Sequence, residues 1–164
     1  MKIAIIIPKN AVEQKPSFYS YSFYKSFLFT NKHFSYMLAA PVLTSLTPAE
    51  HEVRVFDENI ERIDYDWPAD LVGITVRTMF ANRAYDISRR YRALGVKTVL
   101  GGIHPSMCPE DALEHCDAVV QGEAESTWPQ LLEDLEKGRL ERIYRADCQT
   151  EMTSQVDPDR AKLE

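Results

Sequence analysis

A doubly wound α/β sandwich, three layers around a parallel sheet, is the architecture this 164-residue chain points to. Short apolar runs such as KIAIII, DLVGITV and DAVV read as strands buried on both faces. Helical patterns separate most of these runs, and crossovers of that length join parallel strands with a right-handed connection.

Lys2–Pro8 is the first strand, ended by Pro8. Asn10–Thr30 differs from the rest. Phe18, Tyr19, Tyr21, Phe23, Tyr24, Phe27 and Phe29 crowd together without clean helical or strand periodicity. The segment reads as a long loop with some local helix, and loops of this length are usually functional or disordered. Seven aromatics suit an interface, so the expectation is a loop mobile in isolation or covered by a partner. The alternative is that most of them complete the core.

His33–Leu46 carries a helical face of Phe34, Met37, Leu38, Val42 and Leu43, with Pro41 predicting a kink or break near Ala40. EVRVF over 52–56 alternates as a strand, and 57–68 is an aspartate-rich loop. Asp70–Val76 is the second buried strand. Phe80, Ala84, Ile87, Tyr91 and Leu94 then mark one face of a helix, which Gly95 closes. KTVL over 97–100 is a strand, Pro109–His115 a short helix, and DAVV over 117–120 another strand. Thr127, with Gln130 three residues later and Pro129 between, resembles a capping box. The helix after it presents Trp128, Leu131, Leu132 and Leu135 and stops at Gly138. Leu140–Tyr144 is a last edge strand. Residues 1–145 therefore form one domain, and 146–164 read as a linker leaving it.

Composition narrows the function. A net charge of −6 offers no attraction for nucleic acid or an anionic membrane surface. No apolar run approaches the roughly 20 residues of a membrane span. The N-terminus lacks the pattern of a signal peptide. Three cysteines, Cys108, Cys116 and Cys148, make a poor disulfide framework and suit the reduced cytoplasm. Cys108 and Cys116 read as packing residues.

Three strand ends carry the functional signal, because open α/β sheets hold ligands at the carboxyl ends of their strands. The first is Thr75-Val76-Arg77-Thr78, whose hydroxyls can meet a ligand, although Thr78 suits an N-cap equally well. The second is Gly101-Gly102-Ile103-His104, where paired glycines admit positive φ and close backbone approach. The third is Gly122-Glu123, followed by Ala124-Glu125. Phosphate-binding and catalytic signatures are missing. There is no G-x-G-x-x-G after the first strand, no G-x-x-x-x-G-K-[ST] and no G-x-S-x-G. No His or Cys pair has metal-ligand spacing. Catalytic and metal residues are thus assigned to none, and the pattern is one of cofactor carriage.

DLVGITVRT, VLGGIHPSMCPEDAL and DAVVQGEAESTWPQLL, in this order, resemble the cobalamin-binding domain at the N-terminus of B12-dependent radical SAM enzymes. The resemblance covers about residues 50–145, with Ala124 where the family's G-E-G-E has its second glycine. It implies a flavodoxin-like fold. It also implies that cobalamin's nucleotide tail lies along Thr75, Val76, Arg77, Thr78, Gly101, Gly102, Ile103, His104, Gly122 and Glu123. No histidine sits in the D-x-H-x-x-G motif by which another B12 class ligates cobalt. Cobalamin is therefore expected base-off without a protein histidine ligand. His104 is expected to fix its loop by a hydrogen bond or to touch the tail.

The family's C-x-x-x-C-x-x-C is also absent. S-adenosylmethionine and a 4Fe–4S cluster would accordingly belong to a radical SAM domain elsewhere in a full-length parent, and this fragment alone is not catalytic. The parent would transfer methyl groups or perform an anaerobic oxidative cyclisation. That domain is the expected partner, with a homodimer of the fragment as substitute. Two other readings stand open beside this one: a flavodoxin-like domain for another ligand, and a protein-interaction domain.

Overall fold

The computed structural model describes residues 1–9 and 38–146. The aromatic segment 18–29, the first part of the 33–46 helix, Cys148 and the linker after 146 lie outside the described residues.

Six parallel strands form one sheet in the order β2-β1-β3-β4-β5-β6. They are β1 (Lys2–Ile7), β2 (Glu52–Asp57), β3 (Leu71–Thr75), β4 (Lys97–Gly101), β5 (Ala118–Gln121) and β6 (Ile143–Arg145). The helices are α1 (Ala39–Leu46), α2 (Ala81–Ala93), α3 (Ile103–Met107), α4 (Pro109–His115) and α5 (Ala124–Glu136). The strand order is that of flavodoxin-like folds with one more parallel strand at the edge. The chain is the doubly wound parallel α/β fold expected of it.

Side-chain alternation divides each strand between two cores. Ala4, Ile6, Val72, Ile74, Leu100 and Val119 pack with Ala84, Ile87 and Tyr91 of α2 and Ala112 of α4. Ile3, Ile5, Ile7, Leu71, Val99 and Val120 pack with Ala40 of α1 and with Trp128, Leu131 and Leu132 of α5. Helices thus cover both faces of the sheet. Glu58, just past β2, accepts bonds from the Lys9 N–H at 3.2 Å and Arg83 Nε at 3.0 Å, clamping the ends of β1 and β2 to α2.

The structure sharpens the Pro41 reading and departs from several others. The described helix α1 begins at Ala39, where a break near Ala40 is one of the two expected outcomes, and Pro41 is its third residue, where the missing N–H has no intrahelical partner to lose. Helix α5 starts at Ala124, so Thr127 is not its N-cap. Its hydroxyl donates instead to the Glu123 carbonyl at 3.2 Å, and Pro129 lies inside the helix. The physical reason is Gly122. At φ +88° it turns the chain at the strand end, so the helix begins at once. Thr78 opens a short 3-10 turn, Thr78–Phe80, without capping it. Leu94 is 59% exposed, because the helix stops one residue before it and Gly95 turns the chain at φ +80°. Cys116 is buried, but Cys108 is exposed between α3 and α4 and does not pack.

Candidate functional site

The carboxyl ends of β3, β4 and β5 lie side by side, with Thr75 paired to Gly101 and Gly101 to Val120. On the α1/α5 side they open into a slot of about 270 Å³. Its sheet wall comprises Gly73, Thr75, Val99, Gly101 and Val120. Val42 and Leu43 of α1 cover it, Ala124 and Trp128 of α5 wall it, and Glu123 and Glu125 stand where α5 begins.

Alternation explains why space exists there. The slot-facing positions of β3 are Leu71, Gly73 and Thr75, and those of β4 are Val99 and Gly101. Glycine appears where the neighbouring positions carry branched side chains. A Cβ on Gly73 would come 3.2 Å from Cη2 of Trp128, and one on Gly101 would come 3.6 Å from the Val120 Cβ. Trp128 is fixed in turn, because its Nε1–H donates to Thr47 Oγ1 at 2.9 Å.

Gly102 has another task. At φ +103° its Cβ would lie 3.0 Å from the Val76 carbonyl oxygen and 3.2 Å from the Val76 nitrogen. The chain crosses the end of β3 here, and only glycine permits the approach. Val76 N–H donates to the Gly101 carbonyl at 2.8 Å, and His104 N–H donates back to the Val76 carbonyl at 3.1 Å. Ser106 links the second and third ends. Its Oγ donates to the Gly102 carbonyl at 2.8 Å and accepts from Gly122 N–H at 2.9 Å.

Of the ten residues singled out from sequence, Thr75, Gly101, Gly102, Gly122 and Glu123 line the slot. Val76 supports it through its backbone. Arg77, Thr78 and Ile103 are exposed and do not line the slot, and Thr78 borders the opposite face beside Tyr85 and His104. His104 is 8% exposed and turns to the opposite side of the sheet. Its Nε2 lies 2.8 Å from the Tyr85 hydroxyl, which is 2.7 Å from Asp111 Oδ2. The single phenolic proton serves Asp111, so the His104 Nε2–H donates to the phenol oxygen. Tyr85 stacks on His115 with centroids 4.0 Å apart. Burial first, and then the bond to Asp111, push the Tyr85 phenol well above its ordinary range. The hydrogen bond from Tyr85 holds the Asp111 carboxyl low. This arrangement is the loop-fixing bond expected of His104.

Sequence reasoning missed Gly73, Val42, Leu43 and Trp128 as slot residues. Gly73 left a signal, a glycine inside an otherwise branched buried strand, which marks close approach by another group. The α1 residues left none, because their place over the sheet depends on packing.

Apart from Leu38 and Ala39, the slot's lining lies within the region that matches a family model, the B12 binding domain, over residues 42–132. The chain belongs to the B12-binding domain family. It is 46% identical over 108 residues, 65% of this chain, to bacteriochlorophyllide d C-8(2)-methyltransferase of Chlorobaculum tepidum. It is 35% identical over 120 residues, 72% of the chain, to bacteriochlorophyllide d C-12(1)-methyltransferase of the same organism. An uncharacterized methyltransferase of Pyrococcus horikoshii is 33% identical over 115 residues, 62% of the chain. The chain spans about a quarter of the length of these relatives, 24%, 26% and 25% respectively. No solved structure matches it. Among the described residues, no helix is long and apolar enough to cross a membrane.

Proposed function

We propose that this chain is the cobalamin-holding module of a B12-dependent radical SAM methyltransferase, with the nucleotide tail of base-off cobalamin in the slot and the corrin over the carboxyl edge of the sheet. The observation that carries this reading is the slot itself. It opens at the strand ends of a B12-binding domain and is floored by small residues at Gly73 and Gly101. The residues fit the group. Thr75 would meet the polar part of the tail at the mouth, and no described residue donates to or accepts from its hydroxyl. Glu123, Glu125 and the Thr75 hydroxyl are acceptors suited to the neutral amides around a corrin ring.

Cobalamin, when bound, would supply the carbon–cobalt chemistry of methyl transfer. The chain's own residues bind the tail, orient the ring and exclude water from the slot. The methyltransferase names of its relatives favour methyl transfer over cyclisation for the parent enzyme. S-adenosylmethionine, a 4Fe–4S cluster and the tetrapyrrole-class substrate would then belong to a radical SAM domain of the same parent, acting in the cytoplasm.

The base-off, histidine-free state is supported by where the described histidines sit. His51 has its Nδ1 3.2 Å from the chain's amino terminus, at the opposite edge of the sheet. His104 and His115 are engaged with Tyr85. None of the three lines the slot. After incubation with hydroxocobalamin and desalting, the visible spectrum should retain a corrinoid. Electron paramagnetic resonance of the cob(II)alamin form should show no nitrogen superhyperfine splitting. A triplet traced to a histidine would overturn the base-off assignment, and a colourless desalted protein would overturn cobalamin binding.

A further inference from the structure

We propose that Ser106 is a positioning residue for cofactor holding: its hydroxyl sets the distance between Gly102 and Gly122, two glycines that line the slot, without lining the slot itself. The proposal rests on the cobalamin reading above and names the group that pre-forms the same site.

The β4–β5 ladder ends at the pair Gly101–Val120. Gly102 and Gly122 lie past it. With φ of +103° and +88° they leave strand geometry, Gly102 into α3 and Gly122 into α5. Strand pairing therefore does not fix the distance between them. The Ser106 hydroxyl does. It spends its proton on the Gly102 carbonyl at 2.8 Å and a lone pair on the Gly122 N–H at 2.9 Å. Donation to the carbonyl four residues back is common for a helical serine. Acceptance from an amide sixteen residues on, past the end of the neighbouring strand, is not part of that local habit. The bridge needs one O–H and one lone pair on the same atom, so serine or threonine can make it and alanine cannot.

The backbone of Ser106 is held independently of its hydroxyl. Its N–H donates to the Gly102 carbonyl at 3.1 Å, and its own carbonyl accepts from Gln121 Nε2 at 3.0 Å. Gln121 Oε1 in turn accepts from Arg145 Nε of β6 at 2.9 Å. Helix α3 thus keeps these ties when the hydroxyl is removed. The bond to Gly122 is exposed, so water can replace it there, and the Gly102 carbonyl keeps the Ser106 N–H. Folding loses little by the change. Water does not hold two segments at a fixed distance, however. A slot without the hydroxyl must be ordered at the moment of binding, and affinity falls accordingly.

The test compares the native 164-residue chain with Ser106→Ala and Ser106→Thr. Calorimetric titration with hydroxocobalamin should give Ser106→Ala an affinity about tenfold below native, the scale of one or two net hydrogen bonds. Ser106→Thr keeps donor and acceptor on one oxygen and should return to within about threefold of native. Urea midpoints of the three chains should nearly coincide. Without cofactor, the Gly122 amide, followed by NMR hydrogen exchange, should exchange about tenfold faster in Ser106→Ala and at a near-native rate in Ser106→Thr. Native affinity in Ser106→Ala would overturn the proposal and leave cobalamin binding intact. Failure of Ser106→Thr to rescue binding would do the same. A Ser106→Ala chain that does not fold would also overturn it, because the bond would then hold the domain rather than the slot. Unchanged Gly122 exchange would overturn it whatever the cofactor does. A native chain that binds no hydroxocobalamin would overturn the cobalamin reading, and this proposal with it.

Discussion

The two faces of the sheet end differently beneath the same three strand tips. On the α1/α5 face, small residues at Gly73 and Gly101 leave an apolar opening walled by Trp128. On the α2–α4 face, the space beside α3 holds a polar network of Tyr85, His104 and Asp111. The motif GGIH supplies both. Its glycines shape the slot and the crossing over β3, and its histidine turns the other way to tie α3 to α2. Neighbouring residues in a ligand-family motif can therefore do opposite work. Some make room, and others keep that room from collapsing or drifting.

The largest expected effect breaks the comparison at its shared point. Gly102→Ala forces a Cβ against the Val76 backbone at positive φ. It should destabilise the domain by about 3 kcal/mol, the upper range for a strained backbone position, and reduce cobalamin retention as well. Urea denaturation together with a corrinoid-binding assay measures both. The positive φ that the paired glycines admit is realised at 102, and the first group a Cβ there meets is the protein's own Val76 backbone. Unchanged stability would show that the crossing is not tight.

Tyr85→Phe probes the packed face alone. It deletes the hydroxyl shared by His104 and Asp111 and leaves the ring stacked on His115. The expected loss is about 1–2 kcal/mol in a urea titration, the range for a buried group left without its partner. Cobalamin affinity should change by less than about threefold, because no atom of the slot is removed. Val42→Phe, which adds bulk to the slot lining from α1, should show the reverse, weak binding at nearly native stability. If both variants lose binding equally, the two faces are one functional unit and the contrast fails.

The smallest effect is a pH dependence on the packed face. The Tyr85 bond holds the folded Asp111 carboxyl below its ordinary value of 3.8. A depressed carboxylate stabilises the fold above the unfolded value and loses that contribution as pH falls through the folded one. The stability difference between the native chain and Asp111→Asn should therefore be constant at neutral pH and shrink below about pH 4. Its size should be less than that of Tyr85→Phe, since Asp111 is largely exposed. A difference that grows on acidification would contradict the assignment.

Much of the fold was legible because burial on both faces writes itself into composition. KIAIII and DLVGITV carry polar residues only at Lys2, Asp70 and Thr75, and α2 repeats its apolar positions at helical spacing. Helix starts were less legible. Thr127 has the residue type of an N-cap, but Gly122 had already turned the chain and set the start at Ala124. A capping residue competes with the geometry of the preceding turn, and in this case the turn decides. Within the site, the glycine-bearing ends were readable as places of close approach. The direction of His104 was not, since it depends on the Tyr85 hydroxyl nineteen residues away.

From its residues alone the chain prescribes parallel strands, the order of its helices and three small-residue tips, because these depend on local pattern and on what a buried backbone tolerates. Tertiary structure decided the rest. Helix α1 comes to rest against β1 and α5 and so borders the slot, Trp128 stands above the glycine that makes room for it, and His104 faces away from the slot. Those outcomes follow from packing between segments far apart in sequence. The free energy of each contact there exists only once the sheet has brought its partners together, so no periodicity within one segment records it.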